Sequence, residues 1–311
     1  LAALPPLSGR RIEFIGDSHT TGFVNECPSW TTNITHSNAY KSFAAVTARY
    51  FGADYHLTAV SGKGLVHNHS DTVEQSAVTM RQIVNRTIPA SSTPNWDHAS
   101  WIPQVVVINL GTNDFAECFQ VQNSWDAWRR PVRGAIFTPA YREFLDTLRI
   151  RYPGSKLVCV GPYDDCGCKD SAAKVIKAAV AGEKAAGKTD LIYTQYPTGK
   201  ASDFVCCHPT PAYAAQIADS VKKAITTIMG WGDSSTTRIQ KAPKKEKRTG
   251  MGLLPGQKGK KSVFPRFSRA DRVALYDVRG RRSFPGETGP SRSGVYVIAP
   301  LAGEIRSSSN Q

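Results

Sequence analysis

The run Val105-Val106-Val107-Ile108-Asn109-Leu110 constrains the chain most. It is apolar without alternation, so it reads as a strand buried on both faces, the kind found in parallel sheets covered by helices. Four more strand-like segments accompany it: Ile12-Glu13-Phe14-Ile15, Tyr55 to Val60, Lys156 to Val160 and Leu191 to Thr194. Helical stretches separate them. A helix over about 39–51 starts at Asn38 and stops at Gly52, and another over about 70–86 starts at Ser70 or Asp71. Thr138-Pro139 reads as an N-cap with proline in the first turn, opening a helix to about Arg151. Asp170 caps a helix closed by Gly187, and Thr210-Pro211 starts a last one running to about Met229. Five strands alternating with helices predict an α/β fold, a doubly wound parallel sheet in a three-layer α/β/α sandwich.

The 311 residues suit one or two domains, and 41% hydrophobic residues suffice for a core. No apolar run is long enough to span a membrane. From Arg238 onward there are 17 Lys and Arg against 5 Asp and Glu, so +12 of the total +14 lies in the tail and +2 in the rest. The expected organisation is a near-neutral globular domain over 1–232, a basic linker over 233–265 and a small β-rich module over 266–311, with strands at Val273 to Val278 and Gly294 to Ile298. The basic tail would attract acidic glycans or a cell surface. It carries no groove-reading motif, so nucleic acid is not an expected partner.

Seven cysteines include Cys166-Gly-Cys168 and Cys206-Cys207, spacings that do not suit zinc. One or two disulfides in a secreted protein, with one thiol left over, fit better. Asn33, Asn68 and Asn85 each open an N-glycosylation triplet.

Four features converge on one edge of such a sheet. Ser18 follows the first strand, Gly62 the second and Asn113 the third, while His208-Pro209 stands just before the last helix. Sites in open α/β sheets form at the carboxyl ends of strands. A serine hydroxyl needs an imidazole to take its proton, and a tetrahedral oxyanion needs N–H donors. Ser18 and His208 supply the first pair; the N–H of Ser18, the N–H of Gly62 and the amide of Asn113 supply the second. Taken singly, Gly16-Asp17-Ser18 also suits an ordinary turn, Asn113 a capped turn and His208 a helix start.

In this order, Gly16-Asp17-Ser18, Gly62, Gly111-Thr112-Asn113-Asp114 and His208-Pro209 resemble the blocks of the SGNH (GDSL-type) ester hydrolases over about residues 10–230. Finer features resemble carbohydrate esterase family 2: Gly16 to Phe23, Ser42-Phe43-Ala44-Ala45, Ala53-Asp54-Tyr55-His56 and Ser61-Gly62-Lys63-Gly64. The resemblance implies a secreted or cell-surface serine esterase that removes acetyl groups from a plant polysaccharide such as acetylxylan, with no metal or organic cofactor. Gly64 is an alternative to Gly62 as oxyanion donor.

The triad acid departs from the superfamily. Its usual positions, three or two residues before the histidine, hold Val205 and Cys206. The resemblance implies either a Ser–His dyad oriented by a backbone carbonyl or an orienting role for Asp203. An aromatic residue expected before the histidine is replaced by Cys207, which leaves Trp30, Trp125 or Trp128 for sugar stacking. The tail stretch Leu275 to Arg282 with Gly294 to Ile298 resembles sorting or surface-attachment modules of secreted bacterial proteins. Two other readings keep part of this pattern: a lipase or lysophospholipase using the same site, and a non-catalytic surface protein that binds glycan.

Overall fold

The computed structural model describes residues 8–28, 33–69, 71, 73–118, 129–164, 169–233 and three short tail segments. For residues 117, 118, 129–133 and those tail segments, the description covers the backbone alone.

Five parallel strands form one sheet: β1 (Arg11–Gly16), β2 (Asp54–Ala59), β3 (Val105–Asn109), β4 (Lys156–Gly161) and β5 (Leu191–Gln195), in the order β2-β1-β3-β4-β5. The expected strands stand within about a residue of their observed bounds. Because β2 lies on one side of β1 and β3 on the other, the chain reverses its winding direction there. A crevice opens at such a point beyond the carboxyl ends of the strands.

Alternate residues of each strand enter opposite cores, as the two-residue period of a strand requires. Ile12, Phe14, Val105, Val107, Val158 and Val160 pack with α2 (Phe43–Phe51) and α6 (Pro211–Met229). Ile15, Val106, Ile108, Leu157 and Cys159 pack on the other face with α4 (Arg129–Arg151) and α5 (Ser171–Ala185). All five residues of β3 are buried. The three-layer sandwich expected from the alternation is the observed fold. Among the described residues no helix is long and apolar enough to cross a membrane.

Three helix expectations need correction. Asn38 caps only a 3₁₀ turn, Ala39–Lys41; Ser42 then caps α2, its Oγ accepting the Ala45 N–H at 3.4 Å, and Gly52 ends it at φ 57°. Of the helix expected over about 70–86, only α3 (Met80–Ile83) is helical among the described residues, started by a Thr79–Gln82 capping box. Over 73–79 the chain is a loop, where the Ser76 N–H donates to the Val66 carbonyl and the Val78 carbonyl accepts the Asn68 amide. Backbone groups satisfied in that way have no need of a helical ladder. Third, Thr138-Pro139 lies inside α4 rather than at its start. The Thr138 hydroxyl donates to the Gly134 carbonyl at 2.9 Å, one turn back within the helix.

In the tail, Val273–Tyr276 pairs antiparallel with Arg282–Ser283 and with Ala299–Pro300. The basic linker and the expected strand at Gly294 to Ile298 lie outside the described residues.

Candidate active site

β1 breaks at Gly16 because the next turn folds directly back over it. A Cβ added there would lie 2.0 Å from Thr20 Oγ1 and 3.0 Å from the Asn109 carbonyl oxygen. Asp17 then caps the short helix α1 (Ser18–Thr21), its carboxylate accepting the His19 N–H at 3.0 Å. Ser18 opens α1 at the carboxyl end of β1, almost fully buried. Thr20 Oγ1 accepts the Asn109 amide at 3.2 Å, tying α1 to the end of β3. Burial pushes Asp17 up to about 7; the His19 N–H opposes that shift, while the charge of Asp114 adds to it.

The loop after β2 carries Gly62 at φ 77°, a left-handed turn position that suits glycine. Among the described residues no acceptor meets its N–H. Gly64 differs: its N–H donates to Asn68 Oδ1 at 3.3 Å, and its Cα lies so close to the His67 carbonyl that a Cβ would fall 2.0 Å from that oxygen. Of the two glycines weighed as oxyanion donors, Gly64 is therefore engaged within its own loop. Asn113, in the 3₁₀ turn after β3, donates from Nδ2 to the Lys63 carbonyl at 2.9 Å. Its other contact, to Asp17 at 3.4 Å, is long.

Asp114, which no sequence reading singled out for a role, holds this arrangement together. Its buried carboxylate accepts the N–H groups of Leu65 (2.9 Å), Val66 (2.7 Å) and His67 (2.9 Å). The end of β3 thereby fixes the loop after β2. Burial raises the carboxyl's pKa, against the pull of those three bonds. Its position beside Asn113 was the available signal, but the partners lie about fifty residues away.

His208 stands on β7 (His208–Pro209), paired antiparallel with β6 (Phe204–Val205) so that Val205 faces His208. The two-residue turn between them is Cys206-Cys207, both left-handed at φ 48° and 62°. Those signs belong to a type I′ hairpin turn, normally made by Asn and Gly. The turn points the Cys206 carbonyl back at His208, 2.6 Å from Nδ1. A carbonyl oxygen only accepts, so Nδ1 carries the proton and the neutral ring keeps its lone pair on Nε2. The ring meets Phe23 edge-on at 5.1 Å and His19 at 5.6 Å, and α1 packs against β7. Burial lowers His208 to about 4; the Cys206 carbonyl opposes this, and nearby His69 adds to it.

The structure thus brings Ser18, Gly62, Asn113 and His208 to one edge of the sheet, and it does not bring Asp203 to the imidazole. The Asp203 carboxylate accepts the Lys200 N–H at 3.0 Å, and its own carbonyl accepts the Thr210 N–H. The place an acid would take at Nδ1 is filled by a backbone carbonyl. Such a set can activate a hydroxyl and cradle a tetrahedral oxyanion. Cys207 is disulfide-bonded, and Cys159 is a thiol buried in the core and pushed up to about 12 by burial. Trp30, Trp125 and Trp128, expected to stack on sugar, lie outside the described residues.

Residues 14–212 match the profile of the GDSL-like Lipase/Acylhydrolase family. The Cellulase/esterase CelE of Acetivibrio thermocellus is 32% identical over 239 residues, 74% of this chain and 27% of that protein. An Acetylxylan esterase / glucomannan deacetylase of Cellvibrio japonicus is 29% identical over 211 residues, 67% of this chain and 56% of that one. The chain thus spans between a quarter and just over half the length of these curated relatives. Among solved structures, a family two carbohydrate esterase from Clostridium thermocellum, in complex with cellohexaose, superposes with a TM-score of 0.62 at 30% identity, over 74% of this chain and 67% of that one.

Proposed function

The chain belongs to the GDSL-like lipase/acylhydrolase family, and from that premise we propose that it is a serine esterase removing O-acetyl groups from a polysaccharide of the acetylxylan or acetylated glucomannan kind. One observation carries the reading: the Cys206 carbonyl, 2.6 Å from His208 Nδ1, leaves Nε2 as a base on an element packed against the one bearing Ser18. The names of the relatives support the acetyl-glycan substrate.

In this proposal His208 Nε2 takes the Ser18 hydroxyl proton as Oγ bonds to the acetyl carbonyl carbon. The carbonyl electron pair moves to oxygen, and that oxyanion is met by the N–H of Ser18, the N–H of Gly62 and the Asn113 amide. The Lys63 carbonyl holds the Asn113 amide in place, and its second hydrogen, which reaches Asp17 at 3.4 Å, would exchange that long bond for the oxyanion. Collapse breaks the ester bond, and the departing sugar oxygen takes the proton from His208. Water, giving a proton to His208 Nε2, then attacks the acetyl carbon; collapse breaks the bond to Ser18 Oγ, which takes that proton back, and the acetyl group leaves as acetate. Without an acid, the hairpin carbonyl does the orienting, keeping the proton on Nδ1 while Nε2 works. The Cys207 disulfide supports export to an oxidising compartment.

The test is acetate release from acetylated xylan and acetylated glucomannan by wild type and Ser18→Ala in parallel. Release from either glycan that falls at least about a hundredfold in the variant is expected. Equal release by both proteins would overturn the assignment of Ser18. Ser18-dependent hydrolysis of lysophospholipid, with neither glycan deacetylated, would overturn the substrate.

A further inference from the structure

Cys206 and Cys207 stand side by side in the turn that orients His208, and their side chains meet different partners. Cys207 is disulfide-bonded. Cys206 is a thiol whose sulfur lies 3.1 Å from that of Cys27, 179 residues away in the chain. A disulfide would bring the two sulfurs to about 2.05 Å, so they stand about 1 Å from bonding. Both belong to one small buried cluster with Val24, against which Phe23 and Val205 pack. Cys27 is 7% and Cys206 5% exposed.

We propose that Cys27 and Cys206 are joined as a disulfide in the oxidised protein, and that this bond locks the turn that aims the Cys206 carbonyl at His208 Nδ1. The lock takes its catalytic meaning from the esterase reading; the bond itself does not depend on it. Thiol–disulfide exchange with oxidised glutathione, or with the disulfide of an oxidoreductase, forms it. One thiolate of the pair attacks that disulfide, making a mixed disulfide and releasing one thiol. The second thiolate then displaces the other half of the oxidant. The two S–H protons and the electron pair end on the oxidant, which leaves as two thiols.

Three observations favour a bond over two packed thiols. The turn is strained, with Cys206 at φ 48° and Cys207 at φ 62°. Left-handed residues with side chains persist where their surroundings over-determine them, and one bridge from each cysteine would do so. The anchor is also fixed. The Cys27 N–H donates to the Val24 carbonyl at 3.0 Å, the Glu26 N–H to the His36 carbonyl at 3.0 Å, and the Val24 N–H to Ser37 Oγ at 3.0 Å. The bond would thus tie the base's turn to the segment that follows the helix bearing Ser18. Finally, the pairing leaves a sensible remainder. Cys159, the other thiol among the described residues, lies in the separate core packed with α4 and α5, so it does not compete for either sulfur. An odd total of seven cysteines requires one left over.

The first test needs no variant. Wild-type protein is equilibrated with oxidised and reduced glutathione, denatured with an alkylating agent and no reductant, and mapped by peptide mass. A peptide carrying Cys27 linked to Cys206 is expected, with fragmentation between Cys206 and Cys207 assigning the bridge. Alkylation of both Cys27 and Cys206, or a bridge from Cys27 to another cysteine, overturns the proposal. The second test is Cys27→Ala, which removes the tie and leaves the backbone of Cys206 in place. Its melting temperature is expected to fall by about 5–15 °C, as for opening a long covalent loop. With an aryl acetate, kcat should fall about threefold or more at nearly constant KM. Imidazole ¹⁵N shifts read the His208 tautomer, its signal identified by loss in His208→Gln. A single Nδ1–H form is expected in wild type and a mixture in Cys27→Ala. Wild-type kcat and a single Nδ1–H form in Cys27→Ala overturn the lock. If that variant does not fold, Cys27→Ser, which nearly keeps the volume of the thiol, carries the same comparison. If Ser18→Ala hydrolyses as fast as wild type, the esterase reading falls, and the mass map and the tautomer still decide the bond and the lock.

Discussion

The Cys206 carbonyl oxygen lies 2.6 Å from His208 Nδ1, and two left-handed cysteines make that contact possible. A turn of the chain occupies the place where a carboxylate would otherwise orient the imidazole. The contact fixes the tautomer without placing a negative charge next to the ring. An imidazolium forming there would lack the stabilisation that an acid gives, which favours a weakly basic histidine.

The pH profile should record this. His208 is lowered toward 4 by burial, from an ordinary value near 6.5. The working form is neutral, so the acid limb of kcat/KM is expected well below pH 6, approaching 4. An aryl acetate assayed across pH 3.5–8 measures it, and a limb centred at 6.5 would contradict the burial.

Buried neutral histidines also shape stability. His19 and His208, lowered to about 3 and 4, stay unprotonated in the fold while the unfolded chain binds protons below about 6.5. Their part of the stability is present above about 6.5 and is lost as pH falls toward 4 and 3. Asp17, raised to about 7, acts in the opposite direction, weakening the fold as pH rises from about 4 through 7. Melting of His19→Gln is expected to show a smaller acid-side loss between pH 6.5 and 4 than wild type; an identical slope would contradict this.

Asp114→Ala should cost both stability and rate. It strips the N–H groups of Leu65, Val66 and His67 of a shared acceptor. Bonds to a charged group contribute about 1.5–3 kcal/mol each, so about 3 kcal/mol in total is expected once water enters the loop. Because the loop carries Gly62, kcat/KM should fall at least tenfold in protein that remains folded. Chemical denaturation and steady-state kinetics on the same preparation test both parts.

Arg149→Met separates stability from chemistry. Arg149 bridges Glu183 at 2.9 Å and Asp190 at 2.7 Å, joining α4, α5 and the start of β5, at the sheet edge opposite the site. The Glu183 side chain is only 4% exposed, so losing Arg149 leaves a buried carboxylate with Arg142 as its other cation. With Arg149 15% exposed, about 2 kcal/mol is expected, less than for a fully buried pair. The value of kcat should be unchanged, and a large loss of kcat in folded protein would contradict this placement.

Gly16→Ala tests the turn beneath Ser18. The added methyl would lie 2.0 Å from Thr20 Oγ1 and 2.8 Å from Thr20 Cβ. A loss of kcat of about tenfold or more is expected, with overpacking costing about 1–3 kcal/mol. Adding Thr20→Ala should not restore the rate, because the Thr20 Cβ and the Asn109 carbonyl remain in the way.

Much of this was legible in the sequence because it depends on local pattern. Uninterrupted apolar runs marked the strands, and Ser18, Gly62 and Asn113 each follow one directly. What the sequence left hidden depends on distant partners. The helix expected over about 70–86 is confined to Met80–Ile83, because the Ser76 N–H goes to the Val66 carbonyl and the Val78 carbonyl to the Asn68 amide. Thr138-Pro139 carried a helix-start signal, yet α4 begins at Arg129. Cysteine is not a turn residue, so nothing in Cys206-Cys207 announced a left-handed hairpin turn. Asp203 was attractive by nearness in sequence, but the hairpin geometry takes its carboxylate to Lys200 instead.

The most direct measurement is fluorophosphonate labelling with peptide mass mapping on wild type and His208→Gln. A single phosphonyl adduct on Ser18 in wild type, strongly reduced in His208→Gln, is the expected result. Labelling elsewhere, or of Ser18 to the same extent without His208, would contradict a serine activated by a histidine that the Cys206 carbonyl holds in place.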